Sequence, residues 1–115
     1  MMTKPEITFD DFNKVDMRIG TIIEVNEFLK AKKPAYQLTI DFGDLGIKKS
    51  SAQITQLYTK EALLNKQILA IVNFKNKQIA NFISECLVLG IENDKKEIVL
   101  LQASKSAINK GEQVS

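Results

Sequence analysis

The sequence predicts an all-β domain, a five-stranded Greek-key barrel with short helical segments, and three observations predict it. Residues 16–25 and 36–42 alternate apolar and polar side chains with the period of two that a half-buried strand requires. Further short runs rich in β-branched residues, 68–72 and 86–90 among them, are bounded by turn-forming Gly, Asn and Asp. A stretch with helical spacing, 52–64, falls between the third and fourth of these strands.

Taken in order, Thr8-Phe9-Asp10-Asp11-Phe12 offers a Thr or Asp N-cap with acids in the first turn, which predicts one or two helical turns. Phe9 and Phe12 would share a face of it, and so short a helix must dock on something to persist. From Asp16 the period is two: Met17, Ile19, Thr21, Ile23 and Val25 point one way, and Asp16, Arg18, Gly20, Ile22 and Glu24 the other. Gly20 inside that strand suits a bulge or the sharp bend of a barrel corner. Lys30-Ala31-Lys32-Lys33-Pro34 reads as a basic turn. Tyr36, Leu38, Ile40 and Phe42 then alternate with Gln37, Thr39 and Asp41, and the turn Gly43-Asp44-Leu45-Gly46 returns the chain as a hairpin into 47–51. Ile54, Leu57, Tyr58, Leu63 and Leu64 fit short helical pieces interrupted near Thr59. Strands follow at 67–74, 86–91 and 97–102, with a loop of about a dozen residues between the first two. Three strands, a short helical connection and two or three further strands is the order of the OB-fold.

The chain is expected to form one domain over residues 1–115, with an N-terminal extension (1–15) and a C-terminal extension (103–115). No apolar run approaches the ~20 residues of a membrane-spanning helix, and the N-terminus has no signal-peptide pattern, so a cytoplasmic protein without membrane insertion is expected. There is no histidine, which removes the commonest general base and the commonest metal ligand. No acid dyad, cysteine pair or glycine-rich phosphate loop replaces it, so the expectation is a protein that is not an enzyme and needs no cofactor or metal. The lone Cys86 lies in an apolar run and is expected to pack as an inert small hydrophobe. Charge is uneven: residues 47–84 carry six lysines against Glu61 alone, whereas residues 1–29 carry six acids against three bases. A lysine-rich segment serves as a solvated face or as an anion site, and here aromatic residues are interleaved with it.

The loop between strands 67–74 and 86–91 mixes Asn73, Lys75, Asn76, Lys77, Gln78, Asn81 and Ser84 with Phe74, Ile79, Phe82 and Ile83, and is expected to be a binding loop held between core strands. Around it the sequence resembles a known family. The residues that carry the resemblance are Asp11-Phe12-x-Lys14-x-Asp16-x-Arg18-x-Gly20-Thr21-Ile22, Ser50-Ser51-Ala52-Gln53-Ile54-Thr55, Asn65-Lys66-Gln67-Ile68, Val72-Asn73-Phe74 and Ser84-Glu85-x-Leu87-Val88-Leu89-Gly90. In this order and spacing they resemble the CsaA family of export-related chaperones, within the OB-fold tRNA-binding domains that include the one appended to some methionyl-tRNA synthetases. The resemblance implies a homodimeric OB-fold with its terminal extensions in the interface, no catalytic activity, and a binding face at Ser51, Gln53, Asn73, Lys77, Phe82 and Ser84. Three departures stand out: Lys75-Asn76 replaces a proline-containing segment, Lys77-Gln78 replaces a basic pair, and Asn81-Phe82-Ile83 replaces Gly-Phe-Lys. They weaken the case for phosphate and strengthen that for an apolar ligand, although Asn81 can still adopt a left-handed conformation.

Two ligands are therefore expected in competition. For tRNA or structured RNA, Lys48, Lys49, Lys75 and Lys77 would meet phosphate and Phe82 would stack on a base. For unfolded or export-bound polypeptide, Phe74, Ile79, Phe82 and Ile83 would supply apolar contacts rimmed by lysine. Ser51, Gln53, Asn73 and Ser84 suit either ligand, or merely satisfy backbone groups at strand ends. Phe9, Phe12, Ile108 and Val114 lie near the ends of a barrel with little room to bury them, which points to a C2 homodimer.

Overall fold

The computed structural model describes residues 2–105 and 109–115. Thr8 caps α1 (Phe9–Asn13): its hydroxyl accepts from the Asp11 N–H, and the Asp11 carboxylate accepts from the Thr8 N–H, a reciprocal capping box. The Thr8 N–H donated to the Asp11 carboxylate, with Lys14 alongside, holds that carboxyl below its ordinary pKa. The Phe9 and Phe12 rings stack at 6.0 Å, yet no residue of this helix is buried.

Five strands make the main antiparallel sheet: β1 (Met17–Glu27), β2 (Tyr36–Asp41), β3 (Ile47–Ala52), β4 (Gln67–Ile71) and, after a hairpin, β7 (Leu87–Val88), in the order β3-β2-β1-β4-β7. Curling this sheet brings its two edge regions together into a nearly closed barrel of OB type. The seam uses one backbone bond, from the Glu85 N–H to the Lys49 carbonyl (2.7 Å), and several side chains. The Glu85 carboxylate accepts from the Lys49 N–H, the Ser50 hydroxyl donates to the Cys86 carbonyl (2.8 Å), and the Ser84 hydroxyl accepts from the Ser51 N–H.

The alternation in β2 falls as the pattern predicts, with Tyr36, Leu38, Ile40 and Phe42 buried. That in β1 does not. A bulge between Ile22 and Glu24 shifts the register, so Ile22 and Val25 face the core while Ile23 is exposed. Gly20 is not itself the bulge. Its missing side chain lets Ile40 and Phe42 approach, and a Cβ there would lie 2.5 Å from Ile40 Cγ2 and 2.6 Å from the Phe42 ring.

β1 serves three neighbours. Met17 to Thr21 pair with β4, and the strand pairs with β2 from Thr21 onward. On the side that β2 leaves open, residues 111–114 lie down as a strap: Gly111 N–H donates to Ile19 O, Ile19 N–H to Glu112 O and Val114 N–H to Met17 O. Arg18 donates to the Gly111 carbonyl and pairs with Asp16 (2.6 Å), and Lys110 pairs with Asp41 (2.6 Å).

Thr59 caps α2 (Lys60–Leu63), which follows turns over residues 55–57 and sends Leu63 into the core. The segment after β4 departs most from expectation: in place of a plain loop it forms a hairpin, β5 (Lys77–Ile79) and β6 (Phe82–Ser84), as a separate two-stranded sheet. At its tip Ala80, not Asn81, takes the left-handed conformation (φ 51). A second hairpin, of β8 (Gly90–Glu92) and β9 (Ile98–Leu100), precedes the strap, and Leu100 packs on the core.

Gly20→Ala should cost about 1–3 kcal/mol, because the new methyl must displace Ile40 and Phe42 in a filled core. Urea denaturation should show a lower midpoint with an unchanged slope, and an unchanged midpoint would contradict this account of the packing.

Candidate nucleic-acid interface

The β5–β6 hairpin lies across β3 through the Ser51–Ser84 contact, and its register decides what it presents. Lys77 pairs with Ser84 and Ile79 with Phe82 on one face, while Gln78 pairs with Ile83 on the other. The first face does two things. Lys77 and Ser84 join Phe74, Lys75, Cys86 and Leu87 around a groove of about 430 Å³. Two residues further along the same face, Phe82 packs tilted against Phe28, centroids 5.4 Å apart, in a small satellite core with Ala35 and, at its margin, Ile79 and Ala31.

Several of the residues expected at the binding face converge here. Phe74, Lys75, Lys77 and Ser84 line the groove, Ser51 is joined to it through Ser84, and exposed Lys49 lies on the seam beside Glu85. Others go elsewhere. Phe82 is only 9% exposed, so it offers no free ring to a base, and the exposed aromatic beside the lysines is Phe74, at 57%. Asn73 is occupied locally: its side chain accepts from the Asp16 N–H (3.0 Å) and donates to the Lys14 carbonyl (2.7 Å), tying the N-terminal segment to the end of β4. Lys48 and Lys49, adjacent in β3, project to opposite faces, with Lys48 half-buried beside the Ile40 row. Ile83 is exposed on the hairpin's outer face, and Gln53 is exposed just beyond β3.

A second groove, of about 420 Å³, meets the satellite core at Phe28 and Ala35 and is lined as well by Leu29, Lys32, Pro34, Tyr36 and Thr55. Lys32 here belongs to the basic turn of residues 30–34, which the sequence marks by three lysines in four positions but does not place beside the hairpin. What joins the two is a contact between residues 54 apart in the chain, Phe28 and Phe82, and no local pattern announces such a contact.

Cys86 sits in the floor of the first groove, 6% exposed. Burial pushes its thiol from the ordinary 9.0 up to about 11, against the opposing hydrogen bond of Ser50 and the charge of Lys48. Among the described residues no group of three or more Cys, Asp or Glu side chains is placed to hold a metal ion.

This nearly closed five-stranded barrel, with a lysine-bordered hairpin laid across one edge, is of the OB-fold class. The chain belongs to the tRNA-binding-domain family: the model described as "Putative tRNA binding domain" matches residues 17–113. Among solved structures it is similar to the CsaA chaperone of Bacillus anthracis str. Ames, 46% identical with a TM-score of 0.90, the match covering 96% of this chain and 100% of that one. The CsaA chaperone protein of Picrophilus torridus is 50% identical with a TM-score of 0.88 over the same shares. Among curated proteins it is similar to the methionine–tRNA ligase of Chlorobium chlorochromatii, 33% identical over 106 residues, which are 92% of this chain and 15% of the ligase. The chain thus spans about 15% of the length of the ligases it matches.

With its folded pKa raised, the Cys86 thiol contributes stability that is complete below pH 9.0 and is lost as pH rises through about 11. Wild type should therefore lose stability relative to Cys86→Val across that window and match its pH dependence below it. Native protein should also react with a thiol reagent far more slowly than protein in denaturant. Equal rates would show the thiol to be open.

Proposed function

We propose that the protein binds structured RNA of the tRNA type, without catalysing a reaction on it, through the face built from β3 and the β5–β6 hairpin. The observation that carries this reading is the groove in which Lys75 and Lys77 border an exposed Phe74. Cations beside an accessible aromatic surface suit a ligand made of phosphates and bases. Membership of the tRNA-binding-domain family supports it. Cytoplasmic action fits such a ligand, and no helix among the described residues is long and apolar enough to cross a membrane.

A second reading is favoured by the apolar side of the same groove. Leu87 and Phe74 are about half exposed and Ile83 is open nearby, which suits an extended, unfolded or export-bound polypeptide. Similarity to two CsaA proteins that are named chaperones supports it. Salt separates the two ligands, because phosphate contacts release counterions and apolar burial does not.

Titration of tRNA at two salt concentrations tests the first reading. Lys77→Ala should weaken binding and lower the salt slope by about one unit, Ile83→Lys should tighten it, and Phe74→Ala should cost about 1–3 kcal/mol if a base stacks there. Absence of binding even at low salt would sink the RNA reading. Salt-insensitive capture of unfolded polypeptide, weakened by Phe74→Ala or Leu87→Ser, would establish the second.

We also infer a homodimer formed through the N-terminal segment. Ile7, just before the N-cap of α1, and Phe9, in a helix that buries none of its own residues, are both about 70% exposed, a large apolar area for one small chain to leave in water. Phe12 and Val114 are already half-buried, and Ile108 lies outside the described residues. Sedimentation at micromolar concentration should give a species of twice 12.9 kDa, reduced to monomer by Phe9→Asp. A 12.9 kDa species alone would overturn the dimer.

A further inference from the structure

The hairpin that walls the groove touches β3 at Ser51 but shares no backbone ladder with the main sheet. It has two strands of three residues each, in a sheet of its own, and isolated two-stranded hairpins are marginal in water. The satellite core supplies what the main sheet does not. Phe82 and Ile79 pack against Phe28 and Ala35, and Lys77 and Ser84 stand two positions away on the same face of the same strands. The position of Phe82 therefore sets the position of the groove wall. Its partner Phe28 begins the basic turn, which is closed by bonds from Phe28 N–H to Ala35 O and from Ala31 N–H to Phe28 O.

We infer that Phe28 and Phe82 are positioning residues: their contact is a joint that locks the basic turn and the β5–β6 hairpin into one preformed cationic surface. Phe82 acts through the hairpin and does not touch the ligand. Two separately mobile basic loops would each have to be ordered on binding, and that ordering weakens affinity; a joint made in the free protein removes the loss. The inference rests on the RNA reading for its effect on affinity, but its structural half does not.

The test compares wild type with Phe28→Ala, Phe82→Ala, the double variant and Phe82→Leu, by amide hydrogen exchange without ligand and by titration of bulk tRNA at two salt concentrations. Exchange at residues 77–84 should accelerate about tenfold or more in Phe28→Ala, while the amides of Leu38, Ile40 and Ile68 keep their protection. Affinity for tRNA should fall about tenfold in either single variant, and the double variant should be within about twofold of the singles, since one joint is broken only once. Phe82→Leu, which refills the joint but offers no ring to a base, should bind within about threefold of wild type. Unchanged exchange at 77–84 in Phe28→Ala would overturn the inference, as would loss of protection throughout the core, which would make the joint part of the main fold. A Phe82→Leu variant as weak as Phe82→Ala, beside a Phe28→Ala variant that binds like wild type, would mean that Phe82 stacks on the ligand. If wild-type protein binds no tRNA at low salt, the RNA reading falls and the exchange measurement alone confirms or overturns the joint.

Discussion

One strand has to satisfy more neighbours than a straight ribbon can, and the rest of the barrel follows from how β1 does so. Its first half pairs with β4, its second with β2, and the strap of residues 111–114 occupies the side that β2 leaves open. A strand that changes partners along its length must coil, and two local devices allow it. The bulge after Ile22 rotates the following residues so that Val25 packs inward, and Gly20 lets Ile40 and Phe42 close over the bend. Without both, the buried row of β2 would meet β1 at the wrong height and β3 would not reach the segment around Cys86.

The seam formed there is chemically unlike the rest of the barrel. Along β1, β2 and β3 the backbone bonds itself in ladders interrupted by the bulge in β1; between β3 and residues 84–86 a carboxylate and two hydroxyls stand in for much of the ladder. Ser50 is fully buried, and its hydroxyl is matched to the Cys86 carbonyl, as a polar group in a hydrophobic interior requires. Side-chain closure also frees the chain on either side from strand geometry. The β5–β6 hairpin can therefore lie across the barrel edge and present lysines where a continuous sheet would present only its pleat.

Much of this was legible in the sequence where the cause is local. The β2 alternation, the Thr8 cap, the turn into β3, the helical turn after Thr59 and the packed Cys86 all come from patterns within a few residues. The failures share a different cause. The β1 alternation misplaces Ile22 and Ile23 because a bulge changes register without changing composition. The stretch after Asn73 reads as a loop because strands of three residues are too short to show a period, and its tip places Ala80 where Gly or Asn is the usual occupant. Among the candidate binding residues, Lys75, Lys77, Phe74 and Ser84 are recognisable by type and do line one groove. The burial of Phe82 and the occupation of Asn73 depend on Phe28 and on the backbone near Asp16, partners more than fifty residues away.

The strap has a practical meaning for anyone handling this protein. Where β2 turns away, Met17 and Ile19 would otherwise offer bare amide and carbonyl groups to the solvent, and an unpaired strand is a template for whatever strand arrives next. Residues 111–114 act as a plug over that template, held by Lys110 on Asp41 and by Arg18 on the Gly111 carbonyl, with Gly111 so close under Phe42 that a Cβ would stand 2.4 Å from its carbonyl oxygen. Whatever pulls residues 111–114 away from β1 therefore uncovers that edge and leaves it open to strand-to-strand assembly.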